Sequence, residues 1–375
     1  MNVNTASENI LTKNKSWLII IVKLIIAAGI LYYLVSYINY KEIITAIEGA
    51  NINLLMAAFA LSFVNIYLQF FKWKLTCKTV LNESKNSKIF ISLFYGLSAG
   101  SITPARVGEY FGRAIAFKNK PLLQVTVATL VDKFFPLMIV VFFGSMAVIF
   151  FLYFYYEVSV YIVFSLFIVV FTLFYLFAIL IRSENFWNSI LFTKLNNSKY
   201  FSKLFLQLQS LSKLDRKYFT RMSVISMLFY SCFLLQYALL VSAFSHNTEI
   251  MNYLWAGNLI MFVKTVIPPI SLGELGIREG ASVFFLTNFS ELPSVAFNAS
   301  IFLFIINILL PAHMSGLNWM LPATSQPERS STSVAGSMYS SMISINKKVP
   351  PQSSATSHPI TVQPSSRLKA RIGPC

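Results

Sequence analysis

Charge is scarce in this chain, and negative charge scarcest: Asp, Glu, Lys and Arg make up 12% of the residues, with 14 acidic against 30 basic. Soluble domains carry roughly a quarter charged residues, so a water-soluble fold is excluded. Cysteine is nearly absent. Cys77, Cys232 and Cys375 lie far apart without C-x-x-C spacing, which removes a disulfide framework and a zinc site. The three histidines, His246, His313 and His358, are equally scattered, leaving no metal set and no histidine base. No Gly-x-Ser-x-Gly elbow, phosphate-binding Walker loop or H-E-x-x-H helix occurs, so no catalytic residue, metal or cofactor is expected. What is abundant is apolar surface, at 56% hydrophobic and 15% aromatic residues. The formal net charge of +16 would suggest nucleic acid in a soluble protein. Here the basic residues fall between apolar runs, where they orient helices and meet anionic lipid, so nucleic acid is not an expected partner.

A membrane-spanning helix needs about twenty mostly apolar residues, and the runs that qualify predict an all-α polytopic membrane protein. Residues 1–16 form a basic, cytoplasmic N-terminus, and Trp17 to Ile38 is an uncleaved first helix. Ile52 to Phe71 is followed by Lys72, Lys74, Lys78, Lys85 and Lys88, which mark a cytoplasmic loop. Leu122 to about Phe151 crosses outward and Val158 to Ile181 returns. The basic stretch 182–221 is the largest cytoplasmic loop, with Leu204, Leu208 and Leu211 at the spacing of an amphipathic surface helix. Met222 to Phe244 crosses outward to a loop at Thr248 that lacks Lys and Arg, and Pro293 to Leu321 crosses inward. These are about six full spans. The Ser/Thr/Pro-rich tail 322–375 has no apolar periodicity and reads as disordered, with the C-terminus cytoplasmic.

Two further apolar segments, 89–117 and 252–290, are broken in the middle by glycine and proline. Their flanks predict two re-entrant hairpins entered from opposite faces, an inverted repeat. Pro104-Ala105-Arg106-Val107-Gly108-Glu109 with Arg113 parallels Pro269-Ile270-Ser271-Leu272-Gly273-Glu274 with Arg278. Pro104, Gly108, Pro269 and Gly273 are the expected breaks. Each Glu precedes an Arg by four residues, so Glu109 with Arg113 and Glu274 with Arg278 share a helix face and can pair, and Arg106 joins the first face. A charge at mid-bilayer costs at least roughly 2.5–3.5 kcal/mol, and Asp132, Lys133, Lys264 and Glu279 also fall in or beside spans. Such groups must face one another or a wet cavity. Their slight basic excess at the helix breaks suits a phosphate-bearing headgroup, so Arg106, Glu109, Arg113, Asp132, Lys133, Glu274, Arg278 and Glu279 are the candidate substrate-binding residues.

Gly100 to Arg113 (G-S-I-T-P-A-R-V-G-E-Y-F-G-R), Val131-Asp132-Lys133 and Pro268 to Glu279 (P-P-I-S-L-G-E-L-G-I-R-E) resemble the flippase-like family named for the transmembrane region of lysylphosphatidylglycerol synthase. By spacing and hydropathy the likeness extends over 17–321. Members more often carry Glu-Arg where this chain has Asp132-Lys133. The resemblance implies a stand-alone membrane domain that binds and translocates an anionic lipid or lipid-linked envelope precursor in the cell membrane. In the full synthase a separate soluble domain transfers the aminoacyl group, and nothing after Leu321 reads as one. Two alternatives stand beside this: a membrane-embedded transferase with Glu109, Asp132 or Glu274 as base, and a non-catalytic partner of an envelope-biosynthesis enzyme.

Overall fold

A computed structural model describes residues 25, 28–103, 106–182, 215–245, 247–267 and 275–313. All regular structure in these residues is helical: α1 (Ala28–Ile38), α2 (Tyr40–Glu48), α3 (Ile52–Thr76), α4 (Asn86–Ile102), α5 (Gly108–Ile115), α6 (Leu122–Tyr156), α7 (Val160–Arg182), α8 (Arg216–Ser245), α9 (Ile250–Val266), α10 (Ile277–Asn288) and α11 (Pro293–Phe304). A π-turn extends α3 over Cys77–Leu81 and another extends α11 over Ile305–Leu309. Five helical stretches among the described residues are long and apolar enough to cross a membrane, namely Ile52–Leu81, Leu122–Tyr156, Val160–Phe177, Arg216–Ser245 and Pro293–His313. The chain is an all-α polytopic membrane protein. The N-terminal part of the first expected span, the Leu204–Leu211 surface helix and the tail 322–375 lie outside the described residues.

Local sequence starts these helices in recognisable ways. The Asn39 side chain accepts from Lys41 N at the start of α2, and Asn51 accepts from Asn53 N and Leu54 N at the start of α3, each engaging amides that have no intrahelical partner. Pro293 occupies the first turn of α11, where a missing N–H costs nothing. The π-turn that closes α3 ends at Asn82 in the left-handed conformation (φ 50°), a state asparagine tolerates better than most residues.

The core is a pair of antiparallel helices, α3 and α8. Asn51 N bonds Ala243 O, Gln236 Nε2 bonds Ala58 O and the Thr76 hydroxyl meets the Tyr218 hydroxyl, so the register holds from one end of α3 to the other. In α8 and the last span, 50% and 61% of the most apolar stretch is buried, whereas in α7 the figure is 6%. Apolar residues on α7 such as Phe164, Phe171 and Leu176 therefore project outward, as expected of side chains solvated by lipid rather than by protein.

The two interrupted segments fold back on themselves. In the first, Gly112 lies against Tyr95 and Gly108 against Ala99, and the Ser92 hydroxyl donates to Arg113 O, so α5 runs antiparallel to α4. In the second, Trp255 near the start of α9 packs on Phe289 beyond the end of α10, and the Tyr253 hydroxyl donates to Glu291. Helix α6 sets the directions of both. Gln124, in its first turn, donates to Val80 O and lies at the open end of the first hairpin. Phe151 and Tyr155, in its last turns, contact Trp255 and Phe289 at the open end of the second. The hairpins thus enter from opposite ends of α6. Their tips, including Pro104, Pro269, Gly273 and Glu274, lie outside the described residues.

Candidate functional site

Pro136 interrupts the hydrogen-bond ladder of α6 without ending the helix. Proline has no N–H, so the carbonyl four residues earlier, at Asp132, loses its helical donor. The Lys72 ammonium takes that carbonyl at 3.0 Å and approaches the Asp132 carboxylate at 3.6 Å. Lys72 is only 5% exposed. The expectation that Lys72 opens a cytoplasmic loop is therefore corrected. Helix α3 and its π-turn continue to Leu81, and Lys72 turns inward because α6 offers it both a carboxylate and an unpaired carbonyl.

From this anchor an ion network spreads into the first hairpin. Arg113 donates through Nη1 to Asp132 Oδ2 at 2.9 Å and through Nη2 to Glu109 Oε1 at 2.7 Å, while its guanidinium lies 4.2 Å from the Trp73 ring. Glu109 Oε2 is shared by Lys133 Nζ at 2.6 Å and Arg106 Nη2 at 3.4 Å. The i, i+4 spacing thus places Glu109 and Arg113 on one face of α5, and Arg106 reaches the same carboxylate from the turn before the helix. Burial divides the group. The side chains of Glu109, Arg113 and Asp132 are 2–3% exposed, whereas Arg106 is 21% and Lys133 35% exposed. Arg106 also has a positive φ of 54°, unusual for a residue with a side chain and a form of local strain that clusters at working sites.

Gly108 is not the flexible break its position suggests. It is the first residue of α5, and a Cβ there would lie 2.3 Å from Ala99 O; at Gly112 a Cβ would lie 2.3 Å from Tyr95 O. Both glycines serve close approach of α5 to α4. Among the described residues the positive-φ glycine is Gly276 (φ 93°), immediately before α10.

In the second hairpin Arg278 and Glu279 are buried side by side. Glu279 accepts from Gly276 N at 2.6 Å, from Arg278 Nη2 at 2.5 Å and from the Ser300 hydroxyl at 3.2 Å, and Arg278 Nε donates to Ser300. The Glu279 carboxylate is therefore consumed in capping α10 and holding Arg278, a positioning task. The expected pairing of Arg278 with Glu274 lies outside the described residues.

Between the hairpins is a cavity of about 290 Å³. The first hairpin contributes Arg106, Glu109 and Arg113, the second Lys264 and Arg278, α3 Lys72, and α6 Asp132 and Lys133. Six basic side chains thus face two acidic ones among the described residues. Neutral amides complete the lining: Asn65 and Gln69 on α3 and Asn307 in the π-turn after α11. Lys72 and these three amides are absent from the candidate residues drawn from the sequence. A signal existed, for Ser62, Asn65, Gln69, Lys72 and Thr76 recur at spacings of three and four along an otherwise apolar helix.

The cavity wall joins basic side chains, carboxylates and neutral amides within a bundle of apolar helices, and the comparisons with known proteins agree with a membrane setting. Among curated proteins none matches the chain. The family model described as the lysylphosphatidylglycerol synthase TM region matches residues 20–312, far more than half the chain. A bundle of membrane-spanning helices around two folded-back segments, matched along nearly all of its described length, makes this chain a member of the lysylphosphatidylglycerol synthase transmembrane-region family, multi-pass membrane proteins linked to lipid handling.

Proposed function

We propose that the protein binds an anionic lipid, or a lipid-linked envelope precursor, through its phosphate in the cavity between the hairpins, and carries the headgroup across the cell membrane. The observation that carries this reading is the charge of the cavity wall, where six basic and two acidic side chains stand among the described residues. Arg278 is matched by Glu279 behind the wall, whereas Arg106 and Lys133 share a single oxygen of Glu109, so this part of the wall retains attraction for an anion in low dielectric, and lipid phosphates are the anions at hand in a bilayer. Arg106 and Lys133, the most exposed of the cluster, make first contact. Arg113, held by Glu109 and Asp132, keeps the site charged and rigid. Opposed hairpins meeting at one site suit alternating access, in which one half rocks against the other and opens the cavity to each face in turn.

A transferase needs a carboxylate free to accept a proton within reach of a substrate hydroxyl. Glu109 and Asp132 each touch more than one cation, which favours transport over transfer. The test is reconstitution of the purified chain into liposomes carrying labelled anionic or zwitterionic lipid in one leaflet. Anionic lipid is expected to exchange faster than in protein-free vesicles, and an unchanged rate for every lipid would overturn the reading.

A further inference from the structure

Beside the basic side chains of the cavity lies a chain of neutral amides. Gln236 Nε2 donates to Ala58 O at 2.9 Å, Asn307 Nδ2 to Gln236 Oε1 at 2.8 Å, Asn65 Nδ2 to Asn307 Oδ1 at 3.2 Å and Gln69 Nε2 to Asn65 Oδ1 at 3.4 Å. The inner members knit α3, α8 and the π-turn after α11, and hydrogen bonds between polar side chains are a familiar means of joining helices in a membrane. That role accounts for Gln236, Asn307 and Asn65, which are 0%, 8% and 1% exposed. Asn307 is fully committed, since its amide also donates to Leu303 O.

Gln69 differs from the others. It is half-buried, lines the cavity, and among the described residues makes a single, long side-chain hydrogen bond. An amide side chain offers two N–H donors and a carbonyl with two lone pairs, so one N–H and the carbonyl of Gln69 remain for something in the cavity. The position is one helical turn, about 4.5 Å of rise, from Lys72, close enough for one small headgroup to touch both residues. A phosphate only accepts hydrogen bonds and an ammonium only donates them. A terminal amide that presents both a donor and an acceptor fits a group that does both, which is a hydroxyl.

We propose that Gln69, backed by Asn65 and Asn307, is a specificity-determining residue that reads an uncharged hydroxyl on the headgroup beyond the phosphate, such as that of a polyol or sugar. The inference rests on the reading of the cavity as an anionic-lipid site, and it adds that charge alone is not the criterion. The π-turn at Ile305–Leu309 supports it from the far side, because such turns re-aim one side chain out of helical register, and here the turn carries Asn307 to the cavity.

The test compares two short-chain lipids of equal charge, dioctanoyl phosphatidylglycerol and dioctanoyl phosphatidylmethanol, by titration calorimetry on the full chain in detergent. The wild-type protein is expected to bind the hydroxyl-bearing lipid about five- to tenfold more tightly, the effect of one or two hydrogen bonds. The Gln69→Leu variant is expected to bring that ratio to about one, with its thermal unfolding transition in detergent as the check that it is folded. Equal wild-type affinities would overturn the inference and leave the anionic-lipid reading intact. Binding of neither lipid would overturn that reading itself. Should Gln69→Leu lose both ligands, Gln69→Met, closer in shape, is measured in its place, and a preference retained there would assign hydroxyl reading elsewhere.

Discussion

Within the ion network, exposure separates two kinds of residue. Arg113 is enclosed by Glu109, Asp132 and the Trp73 ring. Removing it leaves two buried carboxylates short of a counter-charge, so Arg113→Ala is expected to cost about 3–5 kcal/mol of stability, read as a large drop in thermal unfolding temperature in detergent. Arg106 and Lys133 reach the cavity and are far less enclosed. Arg106→Gln should leave that temperature within a few degrees and weaken binding of anionic lipid about three- to tenfold more than of zwitterionic lipid, since only the former brings a net negative charge to the guanidinium. If Arg106→Gln binds both lipids as the wild type does, phosphate recognition does not run through Arg106. The spacing of Glu109 and Arg113 is enough to place them on one face of a helix. Lys72 could not be placed in the same way, because its inward turn depends on a carbonyl that Pro136 exposes on a helix sixty residues away in sequence.

At the scale of elements, the first hairpin and the interrupted helix α6 depend on small departures from ideal helices. Gly112→Ala would put a Cβ 2.3 Å from Tyr95 O, an atom of the α4 backbone that cannot swing aside. The two helices must then separate, and a loss of about 1–3 kcal/mol is expected, with the Arg113 pairs disturbed and lipid exchange slowed. Wild-type stability and exchange in Gly112→Ala would mean that the hairpin is looser than its packing implies. Pro136→Ala tests α6 in the other direction. Helix propensity alone favours the alanine by about 3 kcal/mol. The new N–H, however, would take the Asp132 carbonyl from Lys72 and leave a buried ammonium with one acceptor fewer. We expect the variant to gain much less stability than propensity suggests and to exchange lipid more slowly. A full gain with unchanged exchange would make the Lys72 contact incidental.

At the scale of the whole molecule, the hairpins enter from opposite ends of α6, and charge in the loops is the basis for assigning those ends to the two faces of the membrane. Cysteines introduced at Ser84 and Lys120 are expected to react only with reagents on the cytoplasmic side, and one at Thr248 only with external reagent. External labelling at Lys120 would reverse the assignment and require a different account of access to the cavity.

Hydropathy and the run lengths of this sequence were sufficient for a polytopic helical membrane protein, because a span must satisfy its backbone internally and stay apolar for about twenty residues, both local requirements. The two broken segments were legible for the same reason: glycine, proline and charge inside an apolar run cannot be hidden. The identity of the cavity wall was not legible. It is assembled from α3, α5, α6, the hairpin of α9 and α10, and the π-turn after α11, elements far apart in the chain. Which polar residues merely join helices and which face a ligand is decided by mutual packing. Glu279, a candidate from the sequence, accepts from Gly276 N at the start of α10, whereas Gln69, absent from the candidates, lines the cavity. Periodicity places a side chain on a face of its own helix; only the tertiary arrangement determines what that face meets.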